Sequence, residues 1–205
     1  MYYGEKFNAI SHLVGTVLAL AGAVALIVIT ALGGDPWKVT GASIYGATLV
    51  LLYLCSTLYH SLRGRAKRIM RKLDHHSIYL LIAGSYTPIC LVSLRGPWGW
   101  SLLGVMWGLA ALGCLQELWA KDGPRKLSLA IYILMGWVAV VPVLELLRTL
   151  GIAGFIWLAV GGLFYTVGIV FYVLDRRMTH AHGIWHLFVI AGSAAHYIAV
   201  LFYVL

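Results

Sequence analysis

Eight histidines occur among the 205 residues, and three of them have the spacing of metal ligands. His182 and His186 lie one helical turn apart in HGIWH, and His60 closes an SxxxH run that begins at Ser56. Two imidazoles at i and i+4 on one helix, with a third from another segment, suit zinc with an open fourth position. Asp74, in LDHH, is the one carboxylate beside this set, which is too few for a metal bound by oxygen alone.

The segments that carry these side chains are strongly apolar. Hydrophobic residues make up 61% of the chain and charged residues only 11%, with a mean hydropathy of +0.89, whereas soluble proteins have about 25% charged residues. We expect an integral membrane protein, because each of seven apolar segments is long enough to cross a bilayer, which takes roughly 20 helical residues. The predicted spans lie near 10–32, 39–59, 74–94, 98–119, 127–147, 152–174 and 183–205.

The predicted fold is therefore all-α, a single seven-helix membrane domain over residues 1–205 whose first helix is retained. Pro88 and Pro142 fall inside the third and fifth predicted spans, where neighbouring helices can tolerate a kink. The three cysteines have no paired spacing, so we expect small core residues and neither a disulfide framework nor a cysteine metal site.

The distribution of basic residues predicts the orientation in the membrane. The positive-inside rule places the N-terminus in the cytoplasm and, after seven crossings, the C-terminus outside. The side carrying most of the charge has Lys6, Arg63, Arg65, Lys67, Arg68, Arg71, Lys72, Lys121, Arg125, Lys126, Arg176 and Arg177, and the other side has Lys38, Arg95 and Arg148. These cytoplasmic loops would attract anionic lipid headgroups, and their position beside spans argues against a nucleic-acid partner.

With this orientation, polar side chains from four segments reach the same membrane depth near the cytoplasmic boundary. Such a cluster costs free energy unless it is partnered, so it is a candidate functional site. Asp74 is expected to open the third helix and to face the end of the second. The cluster comprises Glu5, Asn8 and His12 on one face of helix one, Ser56 and His60 ending helix two, Asp74, and His182 and His186 opening helix seven.

Structural roles compete with each of these assignments. A histidine pair at a spacing of four arises readily by chance, and His60 could instead stabilise a helix C-terminus. Asp74 could simply cap helix three, and Ser56 could hydrogen-bond its own helix backbone. The remaining cytoplasmic histidines, His75, His76 and His180, fit an interfacial position better than a ligand role.

His196 is the one histidine deep in the membrane. It follows His182 by fourteen residues, a spacing found in bis-histidine haem proteins, but no second histidine reaches its depth, so we do not expect haem. Together with Ser193 it faces the same interior as the proposed ligands. We expect these two residues to line a lipid pocket above the metal.

Several motifs together resemble the hemolysin III family, the bacterial branch of the progestin and adiponectin receptor (PAQR) superfamily. They are Glu and Asn before a His in helix one, SxxxH ending helix two, LDHHSIYLLIAGSYTP and HGIWHLFVIAGSAAHY. The resemblance covers essentially the whole chain. It implies a multi-pass protein of the plasma membrane, in bacteria the inner membrane, with zinc held by His60, His182 and His186 and with Ser56 and Asp74 beside it.

The resemblance leaves two classes of function open. The first is a zinc-dependent hydrolase of a membrane lipid amide or ester, in which Asp74 accepts a proton and Ser56 donates a hydrogen bond to the oxyanion. The second is a non-enzymatic protein of membrane homeostasis or sensing, in which zinc is structural. A cytolytic role also follows from the family's name, but no predicted helix carries a polar stripe along its full length, which disfavours a wide pore within one chain.

Overall fold

The computed structural model describes residues 1, 4–119, 125–175 and 177–205, and these residues form seven α-helices without a strand. Six of the helices are long and apolar enough to cross a membrane, and α5 with its continuation to Val140 is shorter. The all-α prediction is confirmed. The helices are α1 Lys6–Gly33, α2 Pro36–Ser61, α3 Gly64–Pro88, α4 Pro97–Trp119, α5 Lys126–Trp137, α6 Val143–Val173 and α7 Ala181–Ala199.

The turn between α1 and α2 shows how local sequence ends one helix and starts the next. Gly34 adopts a left-handed conformation with φ 74°, which a glycine reaches without strain and which ends α1. The Asp35 carboxylate then accepts hydrogen bonds from the backbone N–H groups of Trp37 at 2.8 Å and Lys38 at 3.4 Å. Pro36 occupies the first helical position, where a missing N–H costs nothing.

The start of α3 differs from the prediction. The helix begins at Gly64 with Arg63 at its N-cap, so Asp74 lies inside α3 and the interpretation of Asp74 as an N-cap is wrong. The low hydropathy of the basic stretch before Asp74 predicts a loop. Lys and Arg are nevertheless good helix formers, and they extend the helix beyond its apolar part.

The boundary between the fifth and sixth predicted spans is also different. The predicted span 127–147 is divided, because α5 ends at Trp137, a 3-10 turn covers Val138–Val140 and α6 starts at Val143. Pro142 therefore separates two helices and does not kink one. Gly151, with φ 66° and ψ 175°, interrupts α6, so only the part after it corresponds to the predicted span 152–174.

Wide turns follow two of the helices. Ile89–Ser93 forms a π-helical turn directly after Pro88, so this proline ends the regular part of α3. Val200–Val204 forms a second π-helical turn after α7. The missing N–H and the ring of a proline disturb the turn before it, so they do not explain the π-helical turn after Pro88, and the sequence around Val200 offers no cause for the second one.

The helices pack as a closed ring. Contacts are most extensive between α1 and α2, α2 and α3, and α6 and α7, and α7 also packs on α1. Contacts between α5 and α6 are sparse, and a cavity of about 580 Å³ lies among α3, α5, α6 and α7. Among the cysteines, Cys55 and Cys90 are buried, Cys114 is half-buried, and all three are free thiols.

A buried ion pair joins α4 to α5 at the end of the bundle where α5 begins. The Glu117 carboxylate pairs with the Arg125 guanidinium and accepts a hydrogen bond from Ser128 Oγ at 2.5 Å. The side chain of Glu117 is only 4% exposed. A charge at such depth is tolerated because it is both paired and hydrogen-bonded.

Of the twelve basic residues assigned to the cytoplasmic side, Lys121 and Arg176 lie outside the described residues. The orientation of the bundle in a membrane stays a prediction.

Candidate metal centre

The end of α2 and the start of α7 bring three histidines together. One ligand nitrogen from each of His60, His182 and His186 lies within 4.8 Å of the other two. The ring centroids are 5.0 Å apart for His60 and His182, 5.0 Å for His60 and His186, and 4.8 Å for His182 and His186. His60 and His186 are buried and His182 is half-buried. Within the described part of the chain, this is the one group of His, Cys, Asp and Glu side chains that could hold a metal ion.

Glu5 orients the ring of His60. Its Oε2 lies 2.6 Å from His60 Nδ1, and its Oε1 accepts a hydrogen bond from Lys67 Nζ at 2.7 Å. Asn8 donates to the same carboxylate at 3.0 Å. Burial alone would raise the pKa of Glu5, but the hydrogen bonds from His60, Lys67 and Asn8 outweigh it and hold this pKa far below its usual range. Glu5 therefore stays ionised and accepts a hydrogen bond from the Nδ1–H of His60.

The first turns of α1 and the segment before α7 orient the other two rings. His186 Nδ1 lies 3.1 Å from the backbone carbonyl of Asn8 and 3.1 Å from Ser11 Oγ. His182 Nδ1 lies 3.3 Å from Asp175 Oδ2. The hydrogen bond from His182 lowers the pKa of Asp175. Each Nδ1 thus lies beside an oxygen that can accept a hydrogen bond from its N–H.

The other ring nitrogens explain why this cluster fits a metal. With Nδ1 protonated toward Glu5 or Asn8, the Nε2 atoms of His60 and His186 carry lone pairs. Both Nε2 atoms are buried, and no group of the described chain hydrogen-bonds them. Leaving a buried acceptor unpaired costs about 1–3 kcal/mol. Histidines whose Nδ1–H is held by a carboxylate or carbonyl, with Nε2 directed to a common point, are the usual arrangement of zinc-binding imidazoles.

Asp74 lies near this cluster on the wall of the cavity. It is 7% exposed within α3, and it lines the cavity together with His182. Ser56, on α2, interacts with the Asp74 carboxylate. Asp74 is one of the described residues that line the cavity, whereas Ser56 is not. The structure thus places Ser56 as a neighbour of the carboxylate.

His12 packs directly on the cluster. Its ring stacks on that of His186 with centroids 3.5 Å apart and planes inclined by 12°, and Tyr53 meets it edge-on at 5.0 Å. Both ring nitrogens of His12 are buried without a hydrogen-bond partner among the described residues. The predicted face of Glu5, Asn8 and His12 therefore points at the histidine cluster, with Asn8 contributing through its backbone carbonyl as well as its side chain.

Ser193 and His196 lie deeper in the bundle, away from the three clustered histidines. Ser193 Oγ accepts a hydrogen bond from Tyr53 at 2.7 Å and lies 2.9 Å from Tyr165 Oη. His196 lines the cavity, and its Nε2 lies 3.1 Å from the carbonyl oxygen of Leu158. His196 thus lies on the wall of an apolar cavity that also reaches Asp74.

The remaining histidines do not join the ligand set. His75 Nδ1 is 3.7 Å from the Glu117 carboxylate, and His76 Nδ1 is 2.5 Å from the carbonyl of Lys72. His180 caps α7 in a left-handed conformation with φ 64°.

Sequence reasoning missed two residues that orient the rings. Asp175 could have been found, because it is the one acidic residue between α6 and α7. Ser11 has no such signal, since its contact with His186 depends on the packing of α1 against α7.

Comparison with known proteins agrees with the motifs. Residues 2–197 match a family model described as "Haemolysin-III related". The chain is 41% identical over 202 residues to Hemolysin-3 of Bacillus cereus, covering 98% of this chain and 92% of that protein. It is 41% identical over 200 residues to the Hemolysin-3 homolog of Bacillus subtilis, covering 97% and 93%. It is also 32% identical over 205 residues to the human monocyte to macrophage differentiation factor, covering 97% and 83%.

Proposed function

The chain belongs to the hemolysin III family, and from this premise we propose that it is a zinc-dependent hydrolase of a membrane lipid amide or ester. The observation that carries the proposal is the position of the histidine cluster beside a largely apolar cavity that also contains Asp74. The basic residues of the predicted cytoplasmic loops support a location in the plasma membrane, in a bacterium the inner membrane, with the site near the inner leaflet.

His60, His182 and His186 would hold the zinc ion through their Nε2 atoms. Their residue types fit zinc, because three imidazoles with an open fourth position are a common catalytic donor set. When bound, zinc polarises a carbonyl group and lowers the pKa of water toward about 7. Glu5, Asp175 and the Asn8 carbonyl keep the Nδ1 protons in place, so that each ring presents a lone pair to the site.

Asp74 would act as the general base. Its carboxylate lines the cavity, where it can accept a proton from a water molecule that attacks the lipid carbonyl and later return that proton to the leaving group. Ser56 interacts with this carboxylate from α2 and would keep it oriented. This positioning role replaces the oxyanion contact expected from the resemblance, because the hydroxyl faces Asp74.

The cavity would hold the acyl chain of the lipid. Its volume of about 580 Å³ lies in the range of small-molecule sites, and most of its lining is aliphatic or aromatic. These apolar walls would keep bulk water away from the acyl chain. The sparse packing between α5 and α6 offers a route for a lipid to enter from the bilayer.

A structural role for zinc is the second candidate, and the connections of the three histidines favour it. His60 lies on α2, His182 and His186 lie on α7, and their Nδ1 partners include residues at the start of α1. A bound ion would therefore tie together the ends of helices that are far apart in sequence. In this case the protein would serve membrane homeostasis or sensing without turnover.

Replacing Asp74 by asparagine separates the two candidates. Asparagine keeps the shape of the side chain and an oxygen for Ser56, but it cannot accept a proton. If the protein is a hydrolase, Asp74→Asn should retain zinc and folding, but the rate of lipid hydrolysis should fall about 10² to 10⁴-fold. The change in membrane lipids caused by overexpression should then disappear. The assay is lipid analysis of cells expressing each variant, with the zinc content measured on the same protein preparation.

The matched control is Asp35→Asn, which makes the same chemical change at the N-cap of α2, where asparagine caps as well as aspartate. It should leave both zinc and lipid profile unchanged. A zinc-loaded Asp74→Asn protein with the wild-type lipid profile would contradict the hydrolase and support the structural role.

A further inference from the structure

His196 is a polar side chain in the membrane interior that the proposed hydrolytic site does not use. It lies on α7 ten residues after His186, which corresponds to about 15 Å along the helix axis. It nevertheless lines the same cavity as Asp74 and His182. An ionisable residue at this depth costs free energy, so its presence calls for a partner.

The hydrogen bond of His196 determines which of its nitrogens carries the proton. Nε2 lies 3.1 Å from the backbone carbonyl oxygen of Leu158, which can only accept. Nε2 must therefore be the N–H donor, and Nδ1 of the neutral ring must be an acceptor. No described residue donates a hydrogen bond to this Nδ1. The cavity wall thus carries an acceptor whose partner has to come from a ligand or a water molecule.

His196 belongs to a polar patch that it forms together with Tyr165 and Ser193. Gly161 of α6 makes room for the ring, because a Cβ at this position would overlap the imidazole. Tyr165 meets the ring edge-on at 5.4 Å, also lines the cavity, and lies 2.9 Å through its hydroxyl from Ser193 Oγ. Apolar side chains such as Ile82, Leu158 and Val200 line the cavity around this patch.

We infer that the cavity selects a single-chain lipid bearing a hydroxyl or N–H donor in the middle of its acyl chain, bound by Nδ1 of His196 while the polar end of the lipid reaches the histidine cluster. This inference rests on the proposed function, because it assigns the polar end of the chain to the candidate metal centre. A ligand carbonyl, carboxylate or phosphate cannot pair with Nδ1 of His196, because such groups only accept hydrogen bonds and so does Nδ1. The ligand class is therefore a mid-chain hydroxylated acyl lipid.

The test compares the binding of three fatty acids to the zinc-loaded protein in lipid nanodiscs, by displacement of a fluorescent fatty acid. In 12-hydroxystearate an extended chain carries the hydroxyl at about the 15 Å depth that the helical rise gives for His196. Stearate lacks the hydroxyl, and 6-hydroxystearate carries it about halfway between the carboxyl group and the depth of His196, too far from the carboxylate to chelate the metal with it. We expect 12-hydroxystearate to bind about 5- to 10-fold more tightly than either control, as for one hydrogen bond to a buried acceptor.

Two variants test the assignment to His196. His196→Phe removes both ring nitrogens and should abolish the preference, whereas His196→Gln offers an amide oxygen as acceptor and an N–H for Leu158 and should keep it. Equal binding of the three fatty acids by the wild type, or a preference that survives in His196→Phe, would overturn the inference, as would absence of binding by all three. Zinc content is measured separately, so a metal-free wild type would contradict the proposed function independently of the lipid preference.

Discussion

The contact between Glu5 and His60 allows a quantitative test of how the protein prepares its candidate metal site. Glu5 Oε2 lies 2.6 Å from His60 Nδ1, and the Glu5 side chain is only 21% exposed, so solvent weakens this interaction little. Glu5→Gln keeps an oxygen acceptor but removes the negative charge that makes the imidazole a better electron donor. Glu5→Ala removes both the charge and the acceptor.

Loss of a group that orients a metal-binding histidine commonly weakens metal affinity by about 10- to 100-fold, which corresponds to about 1.4–2.7 kcal/mol. We expect Glu5→Gln near the lower value and Glu5→Ala near the upper one, because the alanine also leaves Lys67 without this partner. The measurement is a competition titration of zinc against a chromogenic chelator, with the purified protein in nanodiscs.

Glu145→Gln is the matched control, because Glu145 forms an exposed pair with Arg148 three residues later on the same helix. Exposed ion pairs of this kind contribute little to stability, so the zinc affinity of Glu145→Gln should equal that of the wild type. Wild-type affinity in both Glu5→Gln and Glu5→Ala would refute the argument that this carboxylate prepares His60 for a metal.

Two further predictions concern the membrane orientation and the pairing of α4 with α5. In a variant without the three native cysteines, a cysteine at Arg65 should react with a membrane-impermeant reagent only from the cytoplasm and a cysteine at Glu145 only from outside; the opposite pattern would reverse the orientation. Glu117→Ala leaves the half-buried Arg125 without its carboxylate partner and should lower the free energy of unfolding by about 3 kcal/mol, measured by denaturation in detergent. Glu145→Ala should change the free energy of unfolding by less than about 1 kcal/mol. Equal effects of Glu117→Ala and Glu145→Ala would contradict the argument that burial strengthens the ion pair of Glu117.

The three clustered histidines were predictable because their signals are local. His182 and His186 share a helix face by their spacing, and the charge distribution places His60 at the same depth. The partner of His60 was not predictable in the same way. Glu5 could be assigned to the correct face of α1, but its contact with His60 joins residues far apart in the chain and depends on how α1 packs on α2.

The errors in the predicted helices have a common physical origin, since hydropathy records polarity and not backbone geometry. Hydropathy places the start of α3 too late because the first turns of this helix are basic, although Lys and Arg favour a helix. The predicted fifth span ran across Pro142 because the residues on both sides are apolar. The sequence indicated a pocket beside His196, which lines the cavity, but not its extent or the unpartnered nitrogens of His12, because these depend on distances between helices.

Metal analysis of the purified protein tests the central proposal, zinc binding by His60, His182 and His186, most directly. We predict about one zinc ion per wild-type chain and loss of most of it in each of His60→Ala, His182→Ala and His186→Ala, because two remaining imidazoles make a poor site. His76→Ala, a histidine outside the cluster, should retain the metal. A wild type without zinc, or full zinc retention in all three ligand variants, would contradict the account.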